Sequence, residues 1–245
     1  MNRDLISRLA HADHPVAAPV ADDSVHRLLQ RALHRDDARM LDLGCGAGEW
    51  LLRALRTYPG ARAEGVDLSE GALTRAGERA RELGVHDRLS LHHENAAVFS
   101  ARHPFDVVLN VGATHAFGGL LPTLAAARTH LAAGGRVLVG EGIWEREPSA
   151  EAIEMLGDFA DLNTTVDRVV ADGWTPVYGH VSTRQELDDY EWSWTGSLAS
   201  WALDHRDAPD ADEALAAATD HREEWLRVYR DTWGFVCLVL RRTED

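Results

Sequence analysis

Apolar residues in the middle of the chain come in short runs that are separated by stretches of helical periodicity. Five such runs lie between about residues 36 and 145, and apolar residues recur at helical spacing between them. This alternation predicts βα units, because parallel strands need a crossover connection, usually a helix, to bring the chain back. The predicted strands are Arg39–Leu43, Ala63–Asp67, Leu89–His92, Phe105–Val111 and Gly135–Gly140.

Helices are predicted in the connections between these strands. Glycine commonly follows a helix because it adopts left-handed φ angles without steric cost, so Gly84 is expected to end one helix and Gly134 with Gly135 another. The connecting helices are expected at about residues 48–57, 69–83 and 120–132, and an earlier amphipathic helix is expected around residues 25–33.

The rest of the chain is less regular and richer in tryptophan. Two apolar runs, Trp174–Val181 and Gly234–Leu240, predict further strands, and helical patterns lie between them at roughly 184–203 and 210–231. Seven of the eight tryptophans follow residue 140. One domain over residues 1–245 is expected, with an N-terminal cap segment at 1–35, a central core at 36–145 and a helical insertion at 184–231.

Composition and charge exclude several classes of protein. The 245 residues include 40 Asp and Glu against 25 Lys and Arg, which gives a net charge of −15 without a basic tract, so no nucleic acid partner is expected. No apolar run reaches the about 18 residues of a membrane span, and no leader pattern is present, so a cytoplasmic location is expected. Cys45 and Cys237 are too widely separated in sequence to indicate a disulfide framework or a metal site.

The strongest chemical signal is a glycine-rich turn directly after the first predicted strand. Gly44, Gly46 and Gly48 alternate there, and glycine lets a ligand lie against bare backbone. Such a turn serves a dinucleotide or S-adenosylmethionine, and the charges favour the second. Asp42 precedes the turn and Glu49 opens the helix, so two acids would face a diphosphate at the helix N-terminus. The G-x-G-x-G spacing also differs from the dinucleotide fingerprint G-x-G-x-x-G.

An acidic residue ends the second predicted strand. Asp67 lies nineteen residues after Gly48, one βαβ step along the chain, and a carboxylate at this place accepts hydrogen bonds from both hydroxyls of a ribose. Taken alone, the glycines can form a structural turn and Asp67 can be a solvated acid. Their order and spacing together favour a cofactor that contains a nucleoside.

The stretch from about residue 39 to 145 resembles the class I S-adenosylmethionine-dependent methyltransferases. Asp42–Gly48 is similar to the first motif of that family, Asp67 and Leu68 to its ribose and adenine contacts, and Glu94–Ala96 to its third-strand motif. The resemblance implies a Rossmann-like, doubly wound α/β sheet of seven strands, mostly parallel with an antiparallel last strand. It also implies S-adenosyl-L-methionine as cofactor and S-adenosyl-L-homocysteine as product. The implied cofactor contacts are Asp42, Gly44, Cys45, Gly46, Asp67, Leu68, Asn95, Ala96 and Asn110.

Two further features bear on this resemblance. Asn95 replaces the aspartate that is usual in the third-strand motif; its amide can still accept from the adenine amino group, or the residue serves only in a turn. The N-terminal segment Ala10–Pro15 is similar to that of a poorly characterised bacterial subgroup with small-molecule substrates, in which this segment closes over the site.

Substrate chemistry is expected just beyond the carboxyl ends of the strands, where open α/β sheets bind ligands. His115 follows the fourth strand and is suited to take a proton from an oxygen or nitrogen nucleophile, or else it anchors its loop. Glu141 ends the fifth strand and can orient a substrate ammonium or hydroxyl, or form a surface salt bridge. The candidate acceptor-binding residues are His14, Trp144 and Trp192.

These features predict an enzyme that transfers a methyl group from S-adenosylmethionine to a small organic acceptor by in-line displacement, in specialised metabolism. The additions at 1–35 and 184–231 are expected to enclose the acceptor, which favours a small molecule over a macromolecule. The alternative is a regulator or inactive partner that binds the cofactor without methyl transfer. A nicotinamide-dependent oxidoreductase is disfavoured by the glycine spacing and by Glu49.

Overall fold

A seven-stranded mixed sheet organises the computed structural model, which describes residues 3–244. Its strands are β1 Arg39–Leu43, β2 Arg62–Asp67, β3 Leu89–His93, β4 Phe105–Val111, β5 Leu131–Trp144, β6 Trp174–Val181 and β7 Trp233–Arg242. Their order across the sheet is β3-β2-β1-β4-β5-β7-β6. The pairs from β3 to β5 are parallel, and β6 and β7 are antiparallel. The predicted fold class, Rossmann-like and mostly parallel with an antiparallel last strand, is confirmed.

The helices connect the parallel strands and dominate the second half of the chain. They are α1 Arg3–Ala10, α2 Asp22–Ala32, α3 Glu49–Thr57, α4 Glu70–Glu82, α5 Leu120–His130, α6 Ala150–Leu156, α7 Leu162–Ala171, α8 Arg184–Asp204 and α9 Ala211–Glu224. Short turns of 3₁₀ helix lie at His86–Arg88 and Thr114–Phe117, and one π-helical turn follows α9 at Trp225–Tyr229. Gly84 follows α4 with a φ of +66°, as predicted.

The start of β5 differs from the prediction. Helix α5 ends at His130 and the strand begins at Leu131, so Gly134 and Gly135 lie inside a strand and do not end a helix. Gly134 has a φ of +69°, and the pairing of β4 with β5 shifts register between Phe105 and Val107. A glycine inside a strand commonly marks such an irregularity, because it takes a backbone conformation that other residues avoid.

The described chain divides into two compact units. The sheet unit contains Ala21–Glu141, Asn163–Val181 and residues 236–244, and the helical unit contains residues 3–20, Gly142–Leu162 and Ser182–Phe235. β1 lies between β2 and β4 in the sheet unit, and its apolar side chains are fully buried. The helical unit packs α1 against α8 and α8 against α9 around Leu9, Leu198 and Ala214.

The parallel strands place several loops at one edge of the sheet unit. Because the carboxyl ends of β1, β2, β3 and β4 point the same way, the segments that follow them lie at the same edge. Every predicted cofactor residue belongs to these strand ends or segments. Within residues 3–244, no helix is both long and apolar enough to cross a membrane.

Candidate active site

The turn after β1 is built from glycines in left-handed conformations. Gly44, Gly46 and Gly48 have φ angles of +93°, +52° and +76°, which side chains rarely adopt. A Cβ added at Gly44 would lie 2.7 Å from the Cβ of Ala113, so this position leaves no room for a side chain. A Cβ added at Gly46 would have no atom within 4 Å. The turn therefore presents bare backbone to open space at Gly46.

Backbone N–H groups of this turn are used inside the protein. Gly44 N and Cys45 N both donate to the Val66 carbonyl, at 2.8 and 3.0 Å. Gly46 N donates to Oδ2 of Asp67 at 2.7 Å. Anion sites at helix N-termini depend on N–H groups that are free to reach the ligand. This turn is therefore poorly arranged for a diphosphate, which agrees with the sequence argument against a dinucleotide.

Asp67 holds two loops together. In addition to its bond from Gly46, its Oδ1 accepts from Ser69 N at 2.8 Å. The carboxylate thus joins the turn after β1 to the start of α4. Each carboxylate oxygen has a second lone pair, so both can still accept from a ligand. The predicted role in ribose binding stays a prediction, and the structure adds a role in shaping the turn, which the sequence did not reveal.

The segments after β2 and β3 provide an apolar surface and a turn. Leu68 leaves 66% of its surface exposed, and its carbonyl accepts from Nε2 of His93 at 2.9 Å. Asn95 is exposed, and its Oδ1 accepts from Ala97 N at 2.9 Å, which closes a local turn. Ala96 beside it is buried. This hydrogen bond supports the interpretation of Asn95 as a turn residue. A contact between Asn95 and adenine stays a prediction.

A buried carboxyl lies at the end of β1. Asp42 is 2% exposed, and it accepts no hydrogen bond from any residue between 3 and 244. Burial raises the pKa of Asp42 to about 8, and the negative charge of Asp67 contributes to this rise. Burial also raises the pKa of the Cys45 thiol, and the two acids raise it further. A thiol in this setting is a poor nucleophile, so Cys45 acts as packing beside the turn.

Asn110 at the end of β4 is a further buried polar residue at this edge of the sheet that lacks a full set of partners. Its Nδ2 donates to the Leu43 carbonyl at 2.5 Å, which ties β4 to β1. Its Oδ1 is buried and receives no hydrogen bond within the described residues. Asp42 and Asn110 are thus two buried acceptors that lack donors. Such groups are rare in native proteins, because a missing hydrogen bond costs about 1–3 kcal/mol.

The segment after β4 is anchored by threonines and leaves His115 exposed. Thr114 donates from Oγ1 to Oε1 of Glu141 at 3.1 Å, and Thr123 donates to the Gly119 carbonyl at 2.8 Å. The ring of His115 forms no hydrogen bond with residues 3–244. The structure shows no hydrogen bond by which the His115 ring would anchor this loop, and both interpretations of His115, as base and as anchor, stay predictions. Glu141 contacts the turn that carries His115.

The predicted acceptor-binding residues all lie in the helical unit. His14 donates from Nδ1 to the Val16 carbonyl at 2.8 Å, and its ring meets Tyr190 edge-on with centroids 5.3 Å apart. Trp144 is 6% exposed, and its indole N–H has no acceptor among the described residues. Trp192 is 51% exposed and packs edge-on against Trp225 at 5.0 Å. Trp144 belongs to the same aromatic cluster as Trp225.

The helical unit contains a polar network that the sequence did not predict. The buried carboxylate of Glu191 accepts from Nε2 of His221 at 2.7 Å and from the hydroxyl of Tyr229 at 3.0 Å. Burial raises the pKa of Tyr229, and the adjacent Glu191 charge raises it further. The one signal in the sequence is an acid on the apolar face of α8, four residues after Leu187.

Comparisons with known proteins bear directly on this geometry. A family model described as a methyltransferase domain matches residues 41–137. The fold is similar to that of a SAM-dependent methyltransferase from Geobacter sulfurreducens in complex with S-adenosyl-L-homocysteine, with a TM-score of 0.88 and 25% identity over 97% of this chain and 98% of that one. These findings identify an S-adenosylmethionine-dependent methyltransferase.

Two relatives are similar to this methyltransferase in sequence. The uncharacterized protein YjhP of Escherichia coli is 28% identical over 244 residues, which cover 96% of this chain and 98% of that protein. Trans-aconitate 2-methyltransferase of Streptomyces avermitilis is 34% identical over 129 residues, which cover 52% of this chain and 46% of that protein. The matched family segment, residues 41–137, includes Asp42, Asp67, Asn110 and His115.

The buried state of Asp42 predicts a pH-dependent stability. Between about pH 4 and pH 8 the unfolded chain has lost this proton while the folded chain keeps it, so stability falls as the pH rises. The Asp42→Asn variant has no such proton. We expect it to raise the free energy of unfolding of the ligand-free protein by about 1–3 kcal/mol above pH 8 and by less near pH 5.

Urea unfolding of both proteins across this pH range measures the difference. Asp106→Asn is the matched control, because Asp106 accepts from Arg39 N at 2.8 Å near the start of β4, away from the glycine turn. A stability gain for Asp42→Asn that is independent of pH would contradict the explanation.

Proposed function

We propose that this methyltransferase transfers the methyl group of S-adenosylmethionine to a small organic acceptor that carries oxygen, and that the loops after β1, β2, β3 and β4 hold the cofactor. One observation carries the cofactor site: Asp42 and Asn110 are buried acceptors without donors, next to a turn that is open at Gly46. An amino acid ammonium is a cation with three N–H donors, which is what these two side chains lack.

The remaining residues fit the other parts of the cofactor. Asp67 has lone pairs left for the ribose hydroxyls, and Leu68 offers an exposed apolar surface on which an adenine ring can pack. Asn95 and Ala96 follow β3 at the same edge and are proposed to meet the adenine edge. The backbone of Gly44, Cys45 and Gly46 would line the methionine part.

When it is bound, S-adenosylmethionine supplies an electrophilic methyl group on a positively charged sulfur. The protein contributes the position of the acceptor nucleophile relative to this methyl group and the exclusion of water. His115 is proposed to take the proton of an oxygen or nitrogen nucleophile, since its ring has no other partner within residues 3–244. Glu141 is proposed as a positioning residue, because it accepts from Thr114, next to His115 in the chain.

The acceptor is proposed to be a small, oxygen-bearing organic molecule of specialised metabolism. A net charge of −15 is unfavourable for binding a nucleic acid substrate. In the helical unit, the buried N–H of Trp144 lacks an acceptor, and a hydroxyl or carboxylate oxygen of a substrate supplies one. His14 and Trp192 are proposed as further acceptor contacts. The name of one relative, trans-aconitate 2-methyltransferase, gives a small carboxylic acid as the substrate of that protein.

Incubation with radiolabelled S-adenosylmethionine and a panel of small carboxylic acids, phenols and amines tests the activity. We expect label in an oxygen-bearing small molecule. Cofactor binding without transfer to any panel member would favour the alternative, a regulator that binds the cofactor.

Loss of the Asp67 carboxylate is expected to weaken cofactor binding. Asp67→Ala removes the proposed ribose contacts and releases the N–H groups of Gly46 and Ser69, so we expect affinity for S-adenosylhomocysteine to fall by about 1.5–3 kcal/mol in calorimetry. Asp106→Ala is the control, since it also removes a carboxylate that binds a backbone N–H, but away from the glycine turn. Equal affinities of the wild type, Asp67→Ala and Asp106→Ala for S-adenosylhomocysteine would show that Asp67 does not contribute to cofactor binding.

Replacement of His115 separates catalysis from cofactor binding. If His115 takes the acceptor proton, His115→Ala lowers kcat by about 10²–10⁴-fold and leaves affinity for S-adenosylhomocysteine unchanged. A catalytic base makes the kcat of the wild type rise with pH, and this rise is expected to be absent in His115→Ala. His86→Ala is the control, because His86 is an exposed histidine in the turn before β3. A loss below about tenfold, with the pH dependence retained, would exclude the base role.

A further inference from the structure

Asp42 is placed in an apolar part of the sheet unit. It pairs in register with Gly65 of β2 and with Leu109 of β4. A Cβ added at Gly65 would lie 2.8 Å from Sγ of Cys45 and 3.2 Å from Leu51, so these side chains cover the glycine beside Asp42. No hydrogen bond from residues 3–244 reaches the Asp42 carboxyl. The sequence thus puts an acid in a setting that favours its neutral form.

The titratable groups that face Asp42 reinforce this preference. Asp67, from the end of β2, contributes a negative charge, and Cys45, from the turn, is a thiol whose raised pKa keeps it neutral. Leu109, which pairs with Asp42 in register on β4, carries no charge. Neither a cation nor a donor compensates Asp42 among the described residues. Burial and the charge of Asp67 raise the pKa of Asp42 to about 8.

We propose that Asp42 keeps its proton in the ligand-free methyltransferase and releases it to solvent when the cofactor brings its ammonium group to this end of β1. The inference rests on the proposed cofactor site. In this step the O–H bond of the carboxyl breaks, its proton passes to water or buffer, and the resulting carboxylate accepts a hydrogen bond from the ammonium. Charge is conserved within the site, because the arriving cation replaces the departing proton.

The coupling makes Asp42 selective for ligands that carry an ammonium group. S-Adenosylhomocysteine keeps the amino acid ammonium and is expected to expel the proton. Adenosine has no ammonium and is expected to bind without proton release. At about pH 6.5 the ligand amino group is protonated, because free α-amino groups titrate near pH 7.7–8.0. Protons released at this pH therefore come from the protein.

Calorimetry in buffers with different ionisation enthalpies counts these protons. At about pH 6.5, we expect wild-type protein to release about one proton on binding S-adenosylhomocysteine, with affinity that rises about tenfold from pH 6 to 7. We expect Asp42→Asn to bind more weakly, to release no proton and to show a flat pH dependence over the same range. The wild type with adenosine provides a control that does not depend on the variant.

A second measurement on the wild type protects the test against a variant that fails to fold. An infrared difference spectrum on binding S-adenosylhomocysteine is expected to lose the band of one protonated carboxyl group. Binding with the same heat in every buffer, and with no loss of this band, would overturn the proton coupling and leave the cofactor site intact. Failure of S-adenosylhomocysteine to bind at any pH would overturn the cofactor site, and the coupling with it.

Discussion

The site depends on one carboxylate that accepts two backbone hydrogen bonds. Asp67 binds Gly46 N through one oxygen and Ser69 N through the other, so the turn after β1 is fixed to the start of α4. Three left-handed glycines leave that turn few side chains of its own, and its one internal side-chain contact, from Cys45 Sγ to the Gly46 carbonyl, is long at 3.7 Å. Its geometry is therefore set by the end of the neighbouring strand, and a ligand meets a surface that is already formed.

This use of N–H groups also sets the charge preference of the site. Val66 and Asp67 accept from the turn, so these donors are not available to Asp42 or to an anionic ligand. Two acids and an orphaned amide oxygen then lie at the ends of β1, β2 and β4, where the cofactor is proposed to bind. A ligand with an ammonium group supplies donors, whereas a diphosphate would add negative charge beside Asp67 and the buried Asp42 carboxyl without supplying donors. The hydrogen bonds thus give a physical reason for the choice between the two cofactors of glycine-rich turns.

The features that could be predicted from the sequence are those that depend on neighbouring residues and on periodic patterns. The bounds of β1, β4 and β6 are as predicted, since apolar runs and turn residues specify buried strands directly. The glycine turn and Asp67 could be placed because their spacing follows the βαβ geometry. The partners of Asp67, the missing donors of Asp42 and the threonines that anchor the His115 turn could not be placed, because they depend on tertiary register. The short helices α6 and α7 were missed, as was Glu191, whose partners come from other parts of the helical unit.

Unsatisfied polar atoms are buried in both units. In the sheet unit they include Oδ1 of Asn110 and the Nε atoms of Arg53 and Arg136, and in the helical unit they include the indole N–H donors of Trp144 and Trp233. Each such atom costs about 1–3 kcal/mol, a large share of the about 5–15 kcal/mol that stabilises a typical domain. A fold selected for stability alone would pair them, as it pairs Glu191 with His221 and Tyr229. At Asn110 and Trp144, which are among the proposed ligand contacts, a bound ligand would offset this cost. Arg53 and Arg136 also have an Nε without a hydrogen bond, so an unpaired atom indicates binding only where further residues of a site surround it.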